Sequence, residues 1–399
     1  VAFLSIEEDL FGAEVRRAQA LREELHRYPE LSRQEMGTAE RLAAFLRDLP
    51  VTIRRGVAGT GIQVDLDSAS PSALPERIAF RADMDALPVS ETTDLPFASA
   101  TSGVMHACGH DCHMAILAGV IRLLCAHRER LPRNYRFLFQ PAEEDNPEGG
   151  AAEMIREGVL EGVRAAFGAH VWPDLATGTV GLRPGPLMAA SDRVRVCIEG
   201  KSAHAAKPHQ GVDAALVAAH ILVALQAVAS RFTDPVDACA LTFGHLCAGT
   251  RYNVVAETAL LEGTCRTLSP RTRRRTEAHI TCLSKKIAEG FGARCRVAVE
   301  RGYPVLRNDP RLFEAVLRLL KVSQPKVHIL IPSAPELVAE DFSRIAERVP
   351  SLFLWIGCRP TDKNAATFPR LHTPNFCPDA ASIEVGMRCF LAIALAEKL

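Results

Sequence analysis

Arg77-Ile78-Ala79-Phe80-Arg81-Ala82-Asp83-Met84-Asp85 reads as a strand that runs straight into acidic residues. A near-continuous apolar strand that stops at carboxylates fits a buried α/β sheet with chemistry at its carboxyl edge. A second run of the same kind, Tyr135-Arg136-Phe137-Leu138-Phe139-Gln140, leads into Pro141-Ala142-Glu143-Glu144. A third, Ala165-Ala166-Phe167-Gly168-Ala169, delivers His170. Three predicted strand ends therefore each present polar chemistry. Helical periodicity at about 6–27, 38–49 and 113–127 and a strand at 60–66 surround these runs.

The pattern changes near Pro184-Gly185-Pro186. Residues 191–198 alternate, the mark of a sheet with one wet face. A helix over 213–230, strands over 239–243 and 258–266, and a helix over 270–291 follow. This β-α-β-β-α-β order predicts a ferredoxin-like α+β unit. The expected organisation is a first domain of residues 1–187 and 304–399, interrupted by an inserted domain of residues 188–303. After about residue 303 the α/β character resumes, with a strand at 352–357 and a closing helix from about 381.

The chain has 399 residues, 48% hydrophobic and 24% charged, which suffices for a large core and more than one domain. Lysine plus arginine equals aspartate plus glutamate at 47 each, so no basic face for nucleic acid is expected. The basic run from Arg271 to Arg275 reads as a solvated helix start. Twelve cysteines are scattered through the chain rather than spaced as a disulfide framework, and a reducing, cytoplasmic setting is expected. The first residues show no signal-peptide pattern. The apolar runs read as shorter than the about 20 residues of a bilayer span, so no membrane partner is expected.

The densest chemistry lies in Met105-His106-Ala107-Cys108-Gly109-His110-Asp111-Cys112-His113. Thiolate and imidazole are the side chains that hold transition metals best. Cys108 and His110 can be turned to one point by a loop. His106, Cys112 and His113 read as supporting or packing residues, since one metal cannot use them all. The adjacent Glu143 and Glu144 repel one another unless a cation removes the penalty for one of them. The other can then act as a base toward water. His170 alone reads more readily as a satisfied core histidine than as a ligand, and His372 as an ordinary surface histidine.

Five stretches taken together resemble a known family. They are Arg81-Ala82-Asp83-Met84-Asp85-Ala86-Leu87-Pro88, the His-Ala-Cys-Gly-His-Asp loop at 106–111, Gln140-Pro141-Ala142-Glu143-Glu144, Gly200-Lys201-Ser202-Ala203-His204-Ala205-Ala206-Lys207-Pro208, and Leu371-His372-Thr373-Pro374. In this order they are similar to the dimetal amidohydrolases of the aminoacylase, hippurate hydrolase and indole-acetyl-amino-acid hydrolase group, within the larger glutamate carboxypeptidase superfamily. The resemblance implies a zinc-exopeptidase-like catalytic domain with a mixed sheet flanked by helices, and an inserted ferredoxin-like domain that serves as lid and dimerisation unit. It implies metal ligation by Cys108, His110, Glu144, His170 and His372, with Glu143 as general base. It implies Asp83 and Asp85 as supporting acids, and His204 as the residue that stabilises an oxyanion across a homodimer. Asn253 and Arg266 match positions that help bind a substrate carboxylate; Arg266 reads equally well as a surface strand charge. Two divalent ions per subunit are implied, zinc or manganese, with cobalt or nickel as alternatives; the same five donors also suffice for a single tightly bound ion.

The expected activity is hydrolysis of N-acyl amino acids or related small amides. An N-carbamoyl amino acid hydrolase or a small exopeptidase on the same scaffold is the alternative, and a catalytically silent metal- or ligand-binding protein is the rival of another class. Cys112 and the stretch Asp145-Asn146-Pro147-Glu148-Gly149-Gly150 depart from the family pattern, which bears on substrate choice rather than on the ligands. No Gly-x-Ser-x-Gly elbow of a serine hydrolase occurs.

Overall fold

The computed structural model describes residues 7–397. The expected helix start at residue 6 and most of the segment read for a signal peptide lie outside them. The elements follow in chain order: α1 (Glu8–Arg27), α2 (Met36–Leu46), β1 (Thr52–Val57), β2 (Gly61–Leu66), β3 (Leu74–Asp83), α3 (His110–Ala126), β4 (Arg133–Gln140), α4 (Gly150–Arg156), β5 (Val163–Ala176), β6 (Thr179–Gly181), β7 (Gly185–Met188) and β8 (Ala190–Glu199). Then come α5 (Ala214–Ala227), β9 (Cys239–Ala248), β10 (Thr258–Thr267), α6 (Pro270–Gly290), β11 (Arg294–Arg301), β12 (Leu306–Asn308), α7 (Pro310–Ser323), β13 (His328–Leu330), α8 (Phe342–Ala346), β14 (Ser351–Arg359) and α9 (Ala381–Leu395). They form two compact units. One comprises Val1–Leu187, Arg307–Ser333 and Arg344–Leu399; the other comprises Met188–Leu306 and Ala334–Ser343. Nothing in the periodicity of the sequence signals that the short segment Ala334–Ser343 belongs with the second unit.

The first unit is built on an eight-stranded mixed sheet in the order β1-β2-β4-β3-β5-β14-β6-β13. Its centre, β4-β3-β5-β14, is parallel, so these strands point their carboxyl ends to one edge. Strands buried on both faces explain why β3, β4 and β14 read as continuous apolar runs. Phe80 is the hub of the aromatic packing, with ring centroids 5.9 Å from Phe137, 5.5 Å from Phe167 and 5.1 Å from Phe390 on α9. Helix α3 lies on β3 and β5 and is covered by α1 and α9. All its residues except Arg122 and Ala126 are buried, as expected of a helix apolar all round.

The second unit is a four-stranded antiparallel sheet, β11-β8-β10-β9, with α5 and α6 packed on it. Its order is the ferredoxin-like β-α-β-β-α-β arrangement expected from the sequence. Val194, Val196 and Ile198 of β8 and Leu261 of β10 form its core with Ile221, Leu225 and Ile280 of the helices. Asp213 caps α5 through the N–H of Ala215, and Ser269 caps α6, with Pro270 in its first turn. The stretch Ala214–Phe232 is long and apolar enough to cross a membrane by length and composition. Ala214, Val217, Ala218, Ile221, Leu225 and Val228 within it are buried in this core.

Candidate active site

Register brings the chemistry of the first unit together. Asp83, the last residue of β3, pairs with Gln140, the last of β4. Arg81 pairs with Gly168 of β5, so His170, two residues on, stands level with Asp83. His170 does not leave its strand as the sequence pattern implied, because β5 continues to Ala176.

The loop before α3 supplies the sulfur. Gly109 has φ +86°, and a Cβ there would meet Val171 Cγ2 at 2.4 Å, so only glycine lets this loop lie against β5. Cys108 Sγ then stands 3.3 Å from Nε2 of His170 and 3.2 Å from Nε2 of His372. His372, in a long loop, has φ +65° and donates its backbone N–H to the Ala107 carbonyl at 2.8 Å. A non-glycine residue in that region is uncommon, and the bond to Ala107 holds His372 there. Glu144 Oε1 lies 3.1 Å from His372 Nε2 yet has no hydrogen-bond partner.

The donor atoms form groups within 4.8 Å of one another: Cys108, His110 and His170; Cys108, Glu144 and His372; and His110, Glu143 and Glu144. Cys108 is common to the first two. The imidazoles are oriented for a cation. His110 Nδ1 donates to the backbone carbonyl of Asp85 at 2.8 Å, which leaves its Nε2 buried and without a hydrogen-bond partner. His170 Nδ1 donates to the carbonyl of Val171 at 2.7 Å, and its Nε2 faces the sulfur. An orphaned buried nitrogen is expensive, and a divalent cation satisfies it together with sulfur, imidazole and carboxylate. The residues fit a metal ion.

Buried acids hold these groups in place. Asp85 accepts from the Ser32 hydroxyl at 2.7 Å and from the Glu144 N–H at 2.9 Å through one oxygen, while its other oxygen lies 3.3 Å from His110 Nδ1. Asp83 accepts from Arg81 at 2.7 Å and from His113 Nδ1 at 2.6 Å. The far nitrogen of His113 accepts the Val171 N–H, so both its ring atoms are committed. Cys112 faces the core. His106 is buried with neither ring nitrogen hydrogen-bonded, and burial pushes its pKa down to about 4.

The electrostatics favour positive charge at the centre. Burial opposes protonation of His110, but the carboxylates of Asp83, Asp85 and Glu144 prevail and hold its pKa up to about 10. Burial also works against ionised Asp83, and His110, His113 and Arg81 override it, so its pKa falls well below the usual carboxylate range. Burial, with the charges of Glu144 and Glu143, pushes the Cys108 thiol well up. Such a cluster of opposed shifts is typical of functional sites.

The remaining candidates lie in the second unit. His204 bridges Val254 in antiparallel fashion, and the Ala205 N–H donates to the Asn253 carbonyl at 3.1 Å, so the His204 and Asn253 segments are brought side by side. His204 is exposed, and its Nδ1 accepts the Ala206 N–H at 3.0 Å, which puts the ring proton on Nε2. The Asn253 side-chain oxygen is buried without a partner. Arg266 stands on β10 opposite Ser191 and Ala240, half-buried, with its pKa lowered by burial.

Residues 79–396 match the family described as Peptidase family M20/M25/M40. The chain belongs to this family. Among M20 relatives it is 40% identical over 338 residues to N-acetyl-L-cysteine deacetylase of Bacillus subtilis, covering 84% of this chain and 79% of that one. It is 34% identical to thermostable carboxypeptidase 1 of Saccharolobus solfataricus, covering 95% of each. The crystal structure of the Bacillus subtilis YXEP protein, described as a dinuclear metal binding peptidase of the M20 family, superimposes with a TM-score of 0.83 at 33% identity, over 96% of this chain and 98% of that one.

Proposed function

We propose that this M20 protein hydrolyses the amide bond of N-acyl amino acids or closely related small amides. The observation that carries the reading is the convergence on Cys108, whose sulfur stands within 3.3 Å of two imidazoles that leave their Nε2 toward it. Cys108, His110, Glu144, His170 and His372 would hold the metal. Zinc suits the thiolate and imidazoles; manganese, cobalt and nickel accept the same donors. The ion supplies Lewis acidity toward the carbonyl and lowers the pKa of water.

The chain's own residues perform the rest. Glu143 is buried beside Glu144 and His110, where it takes a proton from water and passes it to the departing nitrogen. Asp85 holds both His110 and the Glu144 backbone, so a shift at Asp85 would displace two ligands together. His204 carries its proton on Nε2 and is exposed, which suits an oxyanion donor supplied from outside its own unit. We assign it to the active site of a second copy in a homodimer formed through the inserted unit. Exposed Leu216 and Val223 on α5 and Leu246 on the edge strand β9 suit such an interface. Asn253 and Arg266 are assigned to the substrate carboxylate, a task for which a guanidinium fork is apt. The scattered free cysteines favour a reducing, cytoplasmic setting.

The test is turnover of acetyl, benzoyl and carbamoyl amino acids and of dipeptides, with and without chelator, by the wild type and by Glu143→Gln. The variant should keep its metal and lose about 10² to 10⁴ in rate. Equal turnover by the variant, or chelator-insensitive hydrolysis, contradicts the reading. A small exopeptidase is the second reading, favoured by the 34% identity to a carboxypeptidase along nearly the whole chain. Preference for dipeptides in the same panel would select it.

A further inference from the structure

Ala142, immediately before Glu143, has φ +54°. An alanine pays a steric penalty in the left-handed region, so the surroundings must enforce the turn. Three contacts do so. The Ala142 carbonyl accepts the Gly150 N–H at 3.0 Å, and a Cβ on Gly150 would lie 1.9 Å from the Pro141 oxygen, so the chain closes tightly there. The Glu144 N–H is held by Asp85 at 2.9 Å. The Ala142 N–H itself donates at 2.8 Å to Oε1 of Glu35, a residue 107 positions away in the chain.

Glu35 is a buried carboxylate that commits one oxygen to this bond. It sits at the start of α2, and its backbone carbonyl accepts the Ala39 N–H at 2.9 Å. Its side chain makes no capping bond to its own helix, the usual use of an acid there. It is fully buried, with Oε2 accepting from the Thr60 hydroxyl at 2.6 Å. Burial pushes its pKa up, and the bonds from Thr60 and Ala142 act against that push. A carboxylate is retained in this pocket although apolar packing would avoid the cost of burying it.

We infer that Glu35 is a positioning residue for Glu143 and Glu144: it pins the left-handed turn at Ala142 and thereby aims both carboxylates. The inference rests on the proposed roles of those two residues. Glu35→Ala should lower kcat and zinc affinity, each by about 10- to 100-fold, as loss of a supporting partner does, with a much smaller change in KM. Glu35→Gln keeps an oxygen for the Ala142 N–H and should recover most of the loss. Ala142→Gly added to Glu35→Ala should also recover a substantial part, because glycine adopts the left-handed turn without the Cβ penalty. A purely structural Glu35 would lower the melting temperature without this glycine rescue.

Kinetics and zinc titration by chelator competition on these variants decide the matter. Wild-type kcat and zinc affinity in Glu35→Ala, or a loss that Ala142→Gly leaves untouched, overturns the inference. Should Glu35→Ala not fold, Thr60→Val removes only the hydroxyl that orients the carboxylate. A several-fold fall relieved by Ala142→Gly supports the assignment, and no fall overturns it. If the wild type hydrolyses none of the amides, the functional reading fails; if it does and Glu35→Ala matches it, only the role of Glu35 fails.

Discussion

Nε2 of His113 accepts the backbone N–H of Val171 at 2.8 Å, while its Nδ1 donates to Asp83. The imidazole thus ties the end of β3 to the residue after His170. It is a neutral Nδ1–H tautomer with no nitrogen left for a metal, which separates it from His110 one turn earlier on α3. His113→Ala should weaken zinc binding by about 10- to 100-fold by loosening His170. His113→Gln, which can still accept from Val171, should lose less. Competition with a chelator measures both, and unchanged affinity in His113→Ala would show that β5 holds His170 unaided.

Gly109 makes a sharper demand. Alanine there must tolerate φ +86° and a 2.4 Å approach to Val171. The conformational penalty alone is about 1–2 kcal/mol. The loop carrying Cys108 and His110 must move in response. Gly109→Ala should therefore lose metal and activity together, as seen by elemental analysis and turnover on one sample. Full metal occupancy in that variant would mean that the loop has room the packing denies it.

Parts of this arrangement could be read in the sequence. The acid-ended strand at Asp83 and the glutamate pair after Gln140 announced the active edge because buried strands are apolar and their ends are not. The loop at 105–113 announced itself by density of metal-binding side chains. Asp83, Asp85 and His113 were legible as supporting residues, but Glu35 stayed hidden for a physical reason. Glu35 looks like a solvated acid at a helix start, and only the approach of Thr60 and Ala142 from distant parts of the chain buries it. The sequence does not show what His113 supports: its partners Asp83 and Val171 come from two different strands. Likewise Ala334–Ser343 has no pattern that assigns it to the second unit.

A buried charge cluster behind α3 predicts a pH effect on stability. His26 faces Asp111 at 2.9 Å and Glu91 at 3.3 Å, with Arg22 on its own helix bonded to the same Asp111 oxygen at 3.0 Å and His106 alongside. Burial and Arg22 oppose its protonation, but the two carboxylates raise its pKa from 6.5 to about 9. Folding therefore retains a proton that the unfolded chain releases between these values. The contribution is complete below pH 6.5 and disappears as pH rises through about 9. Its slope within that window reaches at most about 1.4 kcal/mol per pH unit. Urea unfolding of the wild type and His26→Gln should give a stability difference that shrinks across the window. A constant difference would contradict the charged state of His26.

Anomalous diffraction from crystals grown with zinc addresses the central claim most directly. The account predicts zinc at the cluster of Cys108, His110, Glu144, His170 and His372, with a zinc–sulfur distance of about 2.3 Å to Cys108. Strong peaks elsewhere, or a Cys108 that touches no metal while the protein hydrolyses amides, would contradict it.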